Sequence, residues 1–188
     1  MLKGMTERIR RMSRLLEELS LAYRGLAHNE LNIKPVDLAS WLEQLTPLWI
    51  QTAKEKSLDW QMDIQEELPQ LSTDPERLSQ AFSNLVENAL KFTPSGGKVA
   101  LTVKADVAQI YFQVSDTGPG IALEDQPHLF TPFFRSISPG WKAPGLGLGL
   151  SIARSIVESL GGQINMVSQL GQGSTFTISI PLPNGKNS

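Results

Sequence analysis

Hydrophobic residues near the start of the chain recur at alternating steps of four and three: Met5, Ile9, Met12, Leu16, Leu19, Tyr23 and Leu26. This spacing puts them along one narrow stripe of a helix, the seam through which helices associate in a bundle or coiled coil. A helix that packs on its own domain is the alternative, but four arginines on the outer face favour the bundle: Arg8, Arg10, Arg11 and Arg14. We assign residues 1–28 to this helix and residues 29–36, which include two asparagines and a proline, to a linker.

The next segments carry the signals of two more helices with a strand between them. Asp37 is a candidate cap for a helix that ends near residue 56, and Pro47 inside it is expected to kink or split that helix. Asp74 and Pro75 supply a cap and a first-turn proline for a helix that ends near Phe92. Between the two lies a half-buried strand, because four apolar residues there alternate with polar ones: Leu58, Trp60, Met62 and Ile64.

The second half of the chain predicts two pairs of strands and one more helix. Strands near residues 99–104 and 108–114 have the form of a hairpin, and Gly161 and Gly162 end a helix over residues 150–160. Two further strands follow, over residues 163–167 and 174–180. This order predicts an α/β (α+β) two-layer sandwich, with a mixed sheet covered on one face by helices. The domain spans residues 37–182, and residues 183–188 form a tail.

Composition and charge exclude several classes of function. Seventeen Lys and Arg against nineteen Asp and Glu give a net charge of −2, so no basic field favours nucleic acid or anionic lipid. The chain has no cysteine and only two histidines, which excludes disulfides and histidine-rich metal sites and suits the cytoplasm. It also lacks an apolar run of about 20 residues, so we expect no membrane segment within it.

Three polar side chains on the helix from Asp74 point the same way. Asn84, Asn88 and Lys91 stand at positions i, i+4 and i+7, opposite the apolar stripe of that helix. Two carboxamides and an ammonium suit a nucleotide triphosphate with Mg²⁺, since they offer a neutral oxygen to the metal and a positive charge to a phosphate. A solvated helix face is the alternative interpretation.

Two glycine-rich segments are candidates for contact with a nucleotide. Asp116-Thr-Gly-Pro-Gly-Ile121 follows a predicted strand, and its carboxylate can accept a hydrogen bond from an amino group of a base, although Asp and Gly also form ordinary turns. Gly145-Leu-Gly-Leu-Gly-Leu150 opens a helix, so its amide groups can face phosphate oxygens. Between them, residues 129–135 offer aromatic anchors and a guanidinium, and residues 136–144, with Trp141, have the composition of a flexible lid.

Taken together and in this order, the motifs resemble the catalytic domain of sensor histidine kinases. Asn84 and Asn88 resemble the N box of that family, residues 116–121 its G1 box, residues 130–135 its F box and residues 145–149 its G2 box. Residues 171–176 resemble its last glycine motif. The family belongs to the ATPase superfamily that includes gyrase, Hsp90 and MutL, and the resemblance implies the Bergerat ATP-binding fold.

By position, the resemblance implies a role for each matching residue. Asn88 would hold Mg²⁺ with support from Asn84. Lys91 and Arg135 would contact the phosphates of ATP. Asp116 would accept a hydrogen bond from the adenine amino group, with help from Thr175 through water, and Phe92 would line the base pocket. Further nucleotide contacts would come from Gly118, Gly120, Ile121, Phe130, Gly145, Leu146, Gly147, Leu148 and Gly149. Glu87 receives no role.

The resemblance also implies an activity. Hydrolases of the superfamily resemble this chain except that a glutamate activates water at the start of the N box; Asn84 at that position is no base, which favours phosphotransfer. Neither His28 nor His128 has the family's phosphoacceptor pattern, so the acceptor histidine would lie on the first helix of a dimerisation hairpin whose second helix is residues 1–28. We therefore expect this chain to bind ATP without phosphorylating itself, and to be a monomer or to pair weakly through the exposed seam of its first helix. The parent kinase would be a homodimer that passes phosphate to a response regulator.

Two other functions are compatible with the same motifs. An anti-sigma-type protein serine kinase shares the nucleotide fold but does not usually carry a preceding bundle helix. A non-catalytic module that senses nucleotide and controls a partner would retain the pocket without turnover.

Overall fold

The computed structural model describes residues 30–136 and 145–182. Four predicted features therefore lie outside the described residues: the first helix with His28, the greater part of the lid with Trp141, the first residue of the linker and the C-terminal tail. In the two described ranges, no helix combines the length and the apolar character needed to cross a membrane.

Three α-helices form where the capping and periodicity signals predict them. Helix α1 (Leu38–Glu55) and helix α2 (Pro75–Phe92) begin behind Asp37 and Asp74, whose carboxylates accept backbone N–H bonds of the first turn. Helix α3 (Gly149–Ser159) ends as Gly161 takes the left-handed conformation, with φ of 76°. Pro47 does not split α1, because it lies on the exposed side, where water can solvate the carbonyl that loses its donor.

Five strands make a mixed sheet in the order β2-β4-β5-β7-β6. They are β2 (Asp59–Ile64), β4 (Lys98–Ala105), β5 (Gln109–Asp116), β6 (Gln163–Gln169) and β7 (Gly173–Pro181). Only β2 and β4 run parallel; the other neighbours in this sheet are antiparallel. In the central pairing, Asp116 at the end of β5 lies opposite Ser174 at the start of β7. This register brings the carboxylate of Asp116 and the hydroxyl of Ser174 together at one end of the sheet, although the two residues are far apart in sequence.

A second, two-stranded sheet was not predicted. Strand β1 (Lys34–Val36) pairs antiparallel with β3 (Leu71–Thr73), so three residues assigned to the linker are paired in a ribbon. The backbone N–H of Asn32 also donates to Oδ2 of Asp74 at 3.0 Å, while Oδ1 of the same carboxylate caps α2. The ribbon therefore joins the beginning of the described chain to the start of α2.

The core lies between the helices and one face of the sheet. Alternate residues of β5 are buried (Ile110, Phe112 and Val114), and the helices contribute the residues that meet them. Phe82 of α2 is fully buried, and its ring lies 5.5 to 5.8 Å from the rings of Trp41, Trp49 and Phe112. These contacts join α1, α2 and the sheet in one core, and they confirm the predicted two-layer sandwich with helices on one face.

Candidate functional site

A cavity of about 250 Å³ opens between α2, the start of α3 and the ends of β5 and β7. Its walls combine apolar and aromatic side chains with a few convergent polar groups, which is the usual composition of a small-molecule site. Twelve of the predicted site residues border it: Asn84, Asn88, Lys91, Phe92, Asp116, Gly120, Arg135, Gly145, Leu146, Gly147, Leu148 and Gly149.

The polar side of α2 forms one wall of the cavity. Since the apolar residues of α2 pack into the core, Asn84, Asn88 and Lys91 are turned outwards to the cavity, as their spacing predicts. The Nζ atom of Lys91 lies 5.1 Å from the centre of the Phe92 ring. The ammonium is thus held at the cavity by an aromatic face beside it.

The glycine-rich segment before α3 lies directly against these α2 side chains. A Cβ atom added at Gly149 would be 3.3 Å from Oδ1 of Asn84, and one added at Gly145 would be 2.9 Å from Nζ of Lys91. Leu148, which precedes α3, offers no side-chain cap to the helix start. Amide groups at the positive end of a helix dipole are therefore brought close to an ammonium and a carboxamide, an arrangement suited to an anion.

Asp116 forms the opposite wall. Its Oδ1 accepts the backbone N–H of Gly118 at 2.7 Å, and the backbone N–H of Ser174 lies close enough to favour the ionised carboxylate. Burial raises the pKa of Asp116 above its ordinary value, while these two N–H groups act in the opposite direction. The carboxylate is thus fixed in direction and partly withdrawn from water, as a specific hydrogen-bond acceptor should be.

Glu87 also borders the cavity, because it stands three residues after Asn84 and four before Lys91, on the same face of α2. It is exposed at the cavity's edge, and the protein that surrounds its carboxyl raises the pKa of Glu87, whereas the positive charge of Lys91 lowers it. A second carboxylate besides Asp116 therefore stands at the cavity.

Residues 129–136 complete the wall between the two glycine-rich segments. Leu129, Phe134 and Arg135 border the cavity, and the backbone N–H of Phe133 donates to the carbonyl of Gly147 at 3.0 Å. At the end of this segment, the hydroxyl of Ser136 donates to Oδ2 of Asp125. These contacts tie the aromatic segment to both neighbouring loops.

Four predicted residues do not reach the cavity. Gly118 donates its backbone N–H to the carboxylate of Asp116. The side chain of Ile121 is buried in the core, with 1% of its surface exposed. Phe130 packs on the core beneath the guanidinium of Arg154, whose carbon lies 5.0 Å from the ring centre. Thr175 lies on the other face of the sheet, where its hydroxyl is 2.9 Å from that of Ser115. A water-mediated role for Thr175 beside Asp116 is not compatible with this position, because alternate residues of a strand face opposite sides.

Several residues that border the cavity were not predicted from the sequence. Ser174 and Phe176 of β7 border it on either side of Thr175, and Pro119 and Phe134 contribute apolar surface. The remaining unpredicted lining residues are Gln80, Glu87, Ala89, Leu129, Ser136, Leu150 and Ile152. Alternation along β7 could have identified Ser174 and Phe176, but only once the pairing of β7 with β5 was known.

Comparison with known proteins identifies the family. A family model described as histidine kinase-, DNA gyrase B- and HSP90-like ATPase matches residues 73–184, more than half of the chain. The chain therefore belongs to this family of ATP-binding domains.

The similar proteins are sensory kinases. The chain is 35% identical over 179 residues to the adaptive-response sensory kinase SasA of Synechococcus sp. (strain JA-3-3Ab). The aligned segment covers 94% of this chain and 47% of SasA. It is 33% identical over 172 residues to the sensor histidine kinase ZraS of Escherichia coli (strain K12), covering 92% of this chain and 35% of ZraS. Among solved structures, full-length ShkA in complex with AMPPNP matches with a TM-score of 0.80 and 31% identity, over 95% of this chain and 37% of ShkA. The chain thus spans half or less of the length of these relatives.

Proposed function

We propose that this chain is the catalytic, ATP-binding part of a sensor histidine kinase, and that it transfers the γ-phosphate of ATP to a histidine on a helical hairpin. The observation that carries this proposal is the meeting of three elements at one cavity: the polar side of α2, the start of α3 and the carboxylate of Asp116. Similarity to sensory kinases over 94% of the chain supports it.

The two walls of the cavity suit the two ends of ATP. Asp116 accepts a hydrogen bond from the exocyclic amino group of adenine, while Phe92 and Phe176 offer apolar surface to the base. The phosphates lie toward the start of α3, where Lys91 and Arg135 supply positive charge. Substrate orientation thus follows from an acceptor at one end and cations at the other.

Asn88 fits a role as the protein ligand of Mg²⁺. Its carboxamide oxygen is a hard donor at the cavity, and Mg²⁺ is commonly held by few protein groups together with substrate phosphates and water. Within the described ranges, no group of three or more His, Asp or Glu side chains stands ready to hold a metal. When bound with ATP, Mg²⁺ neutralises charge on the phosphates. Asn84, one turn before Asn88, supports Asn88 from the same wall, where it stands close to Gly149.

Phosphotransfer is favoured over hydrolysis because Asn84 is no base. In the transfer step, a ring nitrogen of the acceptor histidine forms a bond to the γ-phosphorus, the bond from that phosphorus to the bridging oxygen breaks, and ADP leaves. Lys91 and Arg135 stabilise the charge that develops on the phosphoryl oxygens. Hydrolysis would need a base at the cavity, and Glu87 is the candidate, since a carboxylate whose pKa is raised can activate water.

The acceptor and the partners follow from the same proposal. The histidine lies on a hairpin whose second helix is residues 1–28, the parent kinase is a homodimer, and phosphate passes from the histidine to a response regulator. These steps take place in the cytoplasm, where ATP is available, and this chain by itself is a monomer that does not phosphorylate itself.

The test has a binding stage and a transfer stage. Calorimetry with ADP and a non-hydrolysable ATP analogue, with and without Mg²⁺, should show binding by the wild-type chain. Radiolabelled ATP and a histidine-bearing hairpin from a similar kinase should then give acid-labile phosphate on the hairpin, and none when its histidine is replaced by Gln. Acid-stable phosphate on serine would indicate a serine kinase, and binding without any transfer would indicate a nucleotide-sensing module. Release of free phosphate that disappears in Glu87→Gln would indicate a hydrolase.

A further inference from the structure

The loop that follows β5 is held by two of its backbone groups, one against the end of β6 and one against the turn between β6 and β7. The N–H of Gly171 donates to the carbonyl of Pro119 at 2.7 Å, and the N–H of Ile121 donates to Oγ of Ser168 at 2.9 Å. Pro119 and Gly120 of this loop border the cavity, whereas Ser168 and Gly171 do not. The shape of this wall therefore depends on contacts made outside the cavity.

The hydroxyl of Ser168 is saturated with hydrogen bonds. It accepts the N–H of Ile121, donates to the carbonyl of Gly173 at 2.8 Å and lies 3.0 Å from Oγ of Ser174. Since a hydroxyl has one proton and that proton goes to Gly173, the Ser174 hydroxyl is the donor in the last contact. Ser174 lies directly opposite Asp116 in the pairing of β7 with β5, so the network leads from the loop to the residue whose carboxylate faces the base.

Gln126 holds the same loop from the other side. Its Nε2 group donates to the carbonyl of Ile121 at 3.0 Å and to the carbonyl of Ser168 at 3.2 Å. A carboxamide nitrogen has two protons, and both are used. The N–H and the carbonyl of Ile121 are therefore each fixed by a side chain, Ser168 for one and Gln126 for the other.

Two glycines leave this part of the backbone no room to adjust. At Gly120, with φ of 65°, an added Cβ would lie 1.9 Å from the carbonyl oxygen of Gln169. At Gly173, with φ of 99°, it would lie 1.9 Å from the carbonyl oxygen of Asp116. The loop, the turn and the end of β5 pack backbone against backbone, so a shift of the turn is transmitted to Asp116 and Pro119.

We infer that Gln126 and Ser168 are positioning residues for the base pocket: they hold the wall formed by Asp116, Pro119 and Gly120 in the geometry that binds the adenine of the nucleotide. This inference rests on the proposed function, because it requires an adenine nucleotide in the cavity. Nucleotide affinity, and hence KM for ATP, depends on these two side chains, because the wall that they hold is on the proposed base side of the cavity. We expect kcat to be unchanged, because neither side chain borders the cavity where phosphate is transferred.

Gln126→Glu is the sharpest test, because it replaces only the amide nitrogen by an oxygen and turns a donor to two carbonyls into an acceptor. In the full chain at pH 8, we expect the Kd for ADP to rise about tenfold or more relative to wild type. At pH 5.5 the variant-to-wild-type ratio should fall, because a carboxyl that faces two carbonyls takes up a proton and can donate again. Using the ratio at each pH removes the effect of other titrating groups.

Gln65→Glu is the matched control. Gln65 also donates Nε2 to a backbone carbonyl, that of Glu67 at 3.1 Å, but it is exposed beside β2 and β4, away from the cavity. Its substitution should leave the Kd for ADP within about twofold of wild type. Thermal unfolding of each variant without nucleotide separates lost folding from lost affinity.

Two further variants keep the inference open to refutation where Gln126→Glu fails to fold. Gln126→Met keeps the size of the side chain without its hydrogen bonds, and Ser168→Ala removes the hydroxyl that accepts the N–H of Ile121. Each variant should raise KM for ATP several-fold in the transfer assay, with kcat unchanged. Variants that bind ADP as wild type does, or that lower kcat alone, would overturn the inference while the proposed function stands. Failure of the wild-type chain to bind ADP would instead overturn the proposed function.

Discussion

At the scale of single residues, Asp116 combines a functional role with a cost in stability. Burial raises the pKa of this carboxyl above 3.8, so the folded protein binds the proton more tightly than the unfolded chain does. The resulting penalty is absent below the ordinary pKa and grows as pH rises above it, until the carboxyl is ionised in the folded state. At neutral pH, the carboxylate that we propose as the acceptor for adenine therefore destabilises the protein without nucleotide.

Asp116→Asn is expected to separate these two effects. Asparagine can still accept the N–H bond of Gly118, but its amino group can face the amino group of adenine, so the Kd for ADP should rise at least about tenfold, or about 1.4 kcal/mol. The melting temperature without nucleotide should equal or exceed that of wild type at pH 7, and the difference should shrink as pH falls toward 4. Titration calorimetry and thermal scans at several pH values measure both. A clear loss of stability at pH 7, or unchanged affinity, would contradict this account of Asp116.

Thr175 and Ser174 show what the sequence left open at this scale. Local motifs predicted that residues 171–176 lie near the nucleotide, and Ser174 and Phe176 do border the cavity. Which of the alternate side chains faces inwards depends on the register of β7 against β5, 60 residues away at Ser115 and Thr175. A shift of one residue exchanges the two faces of a strand, so a motif alone does not decide between neighbours.

At the scale of elements, Gly149 combines a helix start with a close contact. Gly149→Ala should leave stability unchanged or raise it by up to about 1 kcal/mol, because alanine is the better helix former. The added methyl would be 3.3 Å from Oδ1 of Asn84, so that side chain must move by a few tenths of an ångström. We expect about a tenfold weaker affinity for the ATP analogue, measured by calorimetry. Ser155→Ala, on the exposed side of the same helix, is the control and should leave the affinity unchanged. Equal affinity in both variants would show that the contact with Asn84 has no role.

Helix α1 contains a proline that stability measurements can assess. Pro47→Ala restores an N–H that can donate to the carbonyl of Glu43, and it should raise the free energy of unfolding by about 1 to 3 kcal/mol in urea titrations. Leu48→Ala, at a neighbouring site that is 68% exposed, should be nearly neutral. A loss of stability in Pro47→Ala would mean that the proline ring makes packing contacts that outweigh the restored hydrogen bond.

The elements were predictable from the sequence to the extent that their signals are local. Caps and periodicity located α1, α2 and α3, and alternation located the five strands of the main sheet within a few residues. The β1–β3 ribbon was missed because strands of three residues, one of them containing Pro35, are too short to show a period. The strand order was likewise out of reach, since β5 pairs with β7 although α3, β6 and the loops around them separate the two strands in sequence.

At the scale of the whole molecule, one aromatic cluster joins the layers that form the site. Phe82 contacts Trp41 and Trp49 of α1 and Phe112 of β5, and it stands two residues before Asn84. Phe82→Ala should therefore lower the free energy of unfolding by about 3 to 5 kcal/mol in urea titrations. The same change at Leu123, which is 79% exposed, should have little effect. Similar small losses in both variants would show that the layers are joined by contacts other than this cluster.

The hydrogen bond from Asn32 to Asp74 limits how far this protein can be trimmed. The two oxygens of one carboxylate serve different parts of the chain, because Oδ1 caps α2 and Oδ2 binds the backbone before β1. Expression boundaries chosen at residue 37, where the first helix cap appears in the sequence, would remove β1 and leave β3 with an unpaired edge. The shortest piece that keeps this junction intact begins before Asn32, so truncation series should start there.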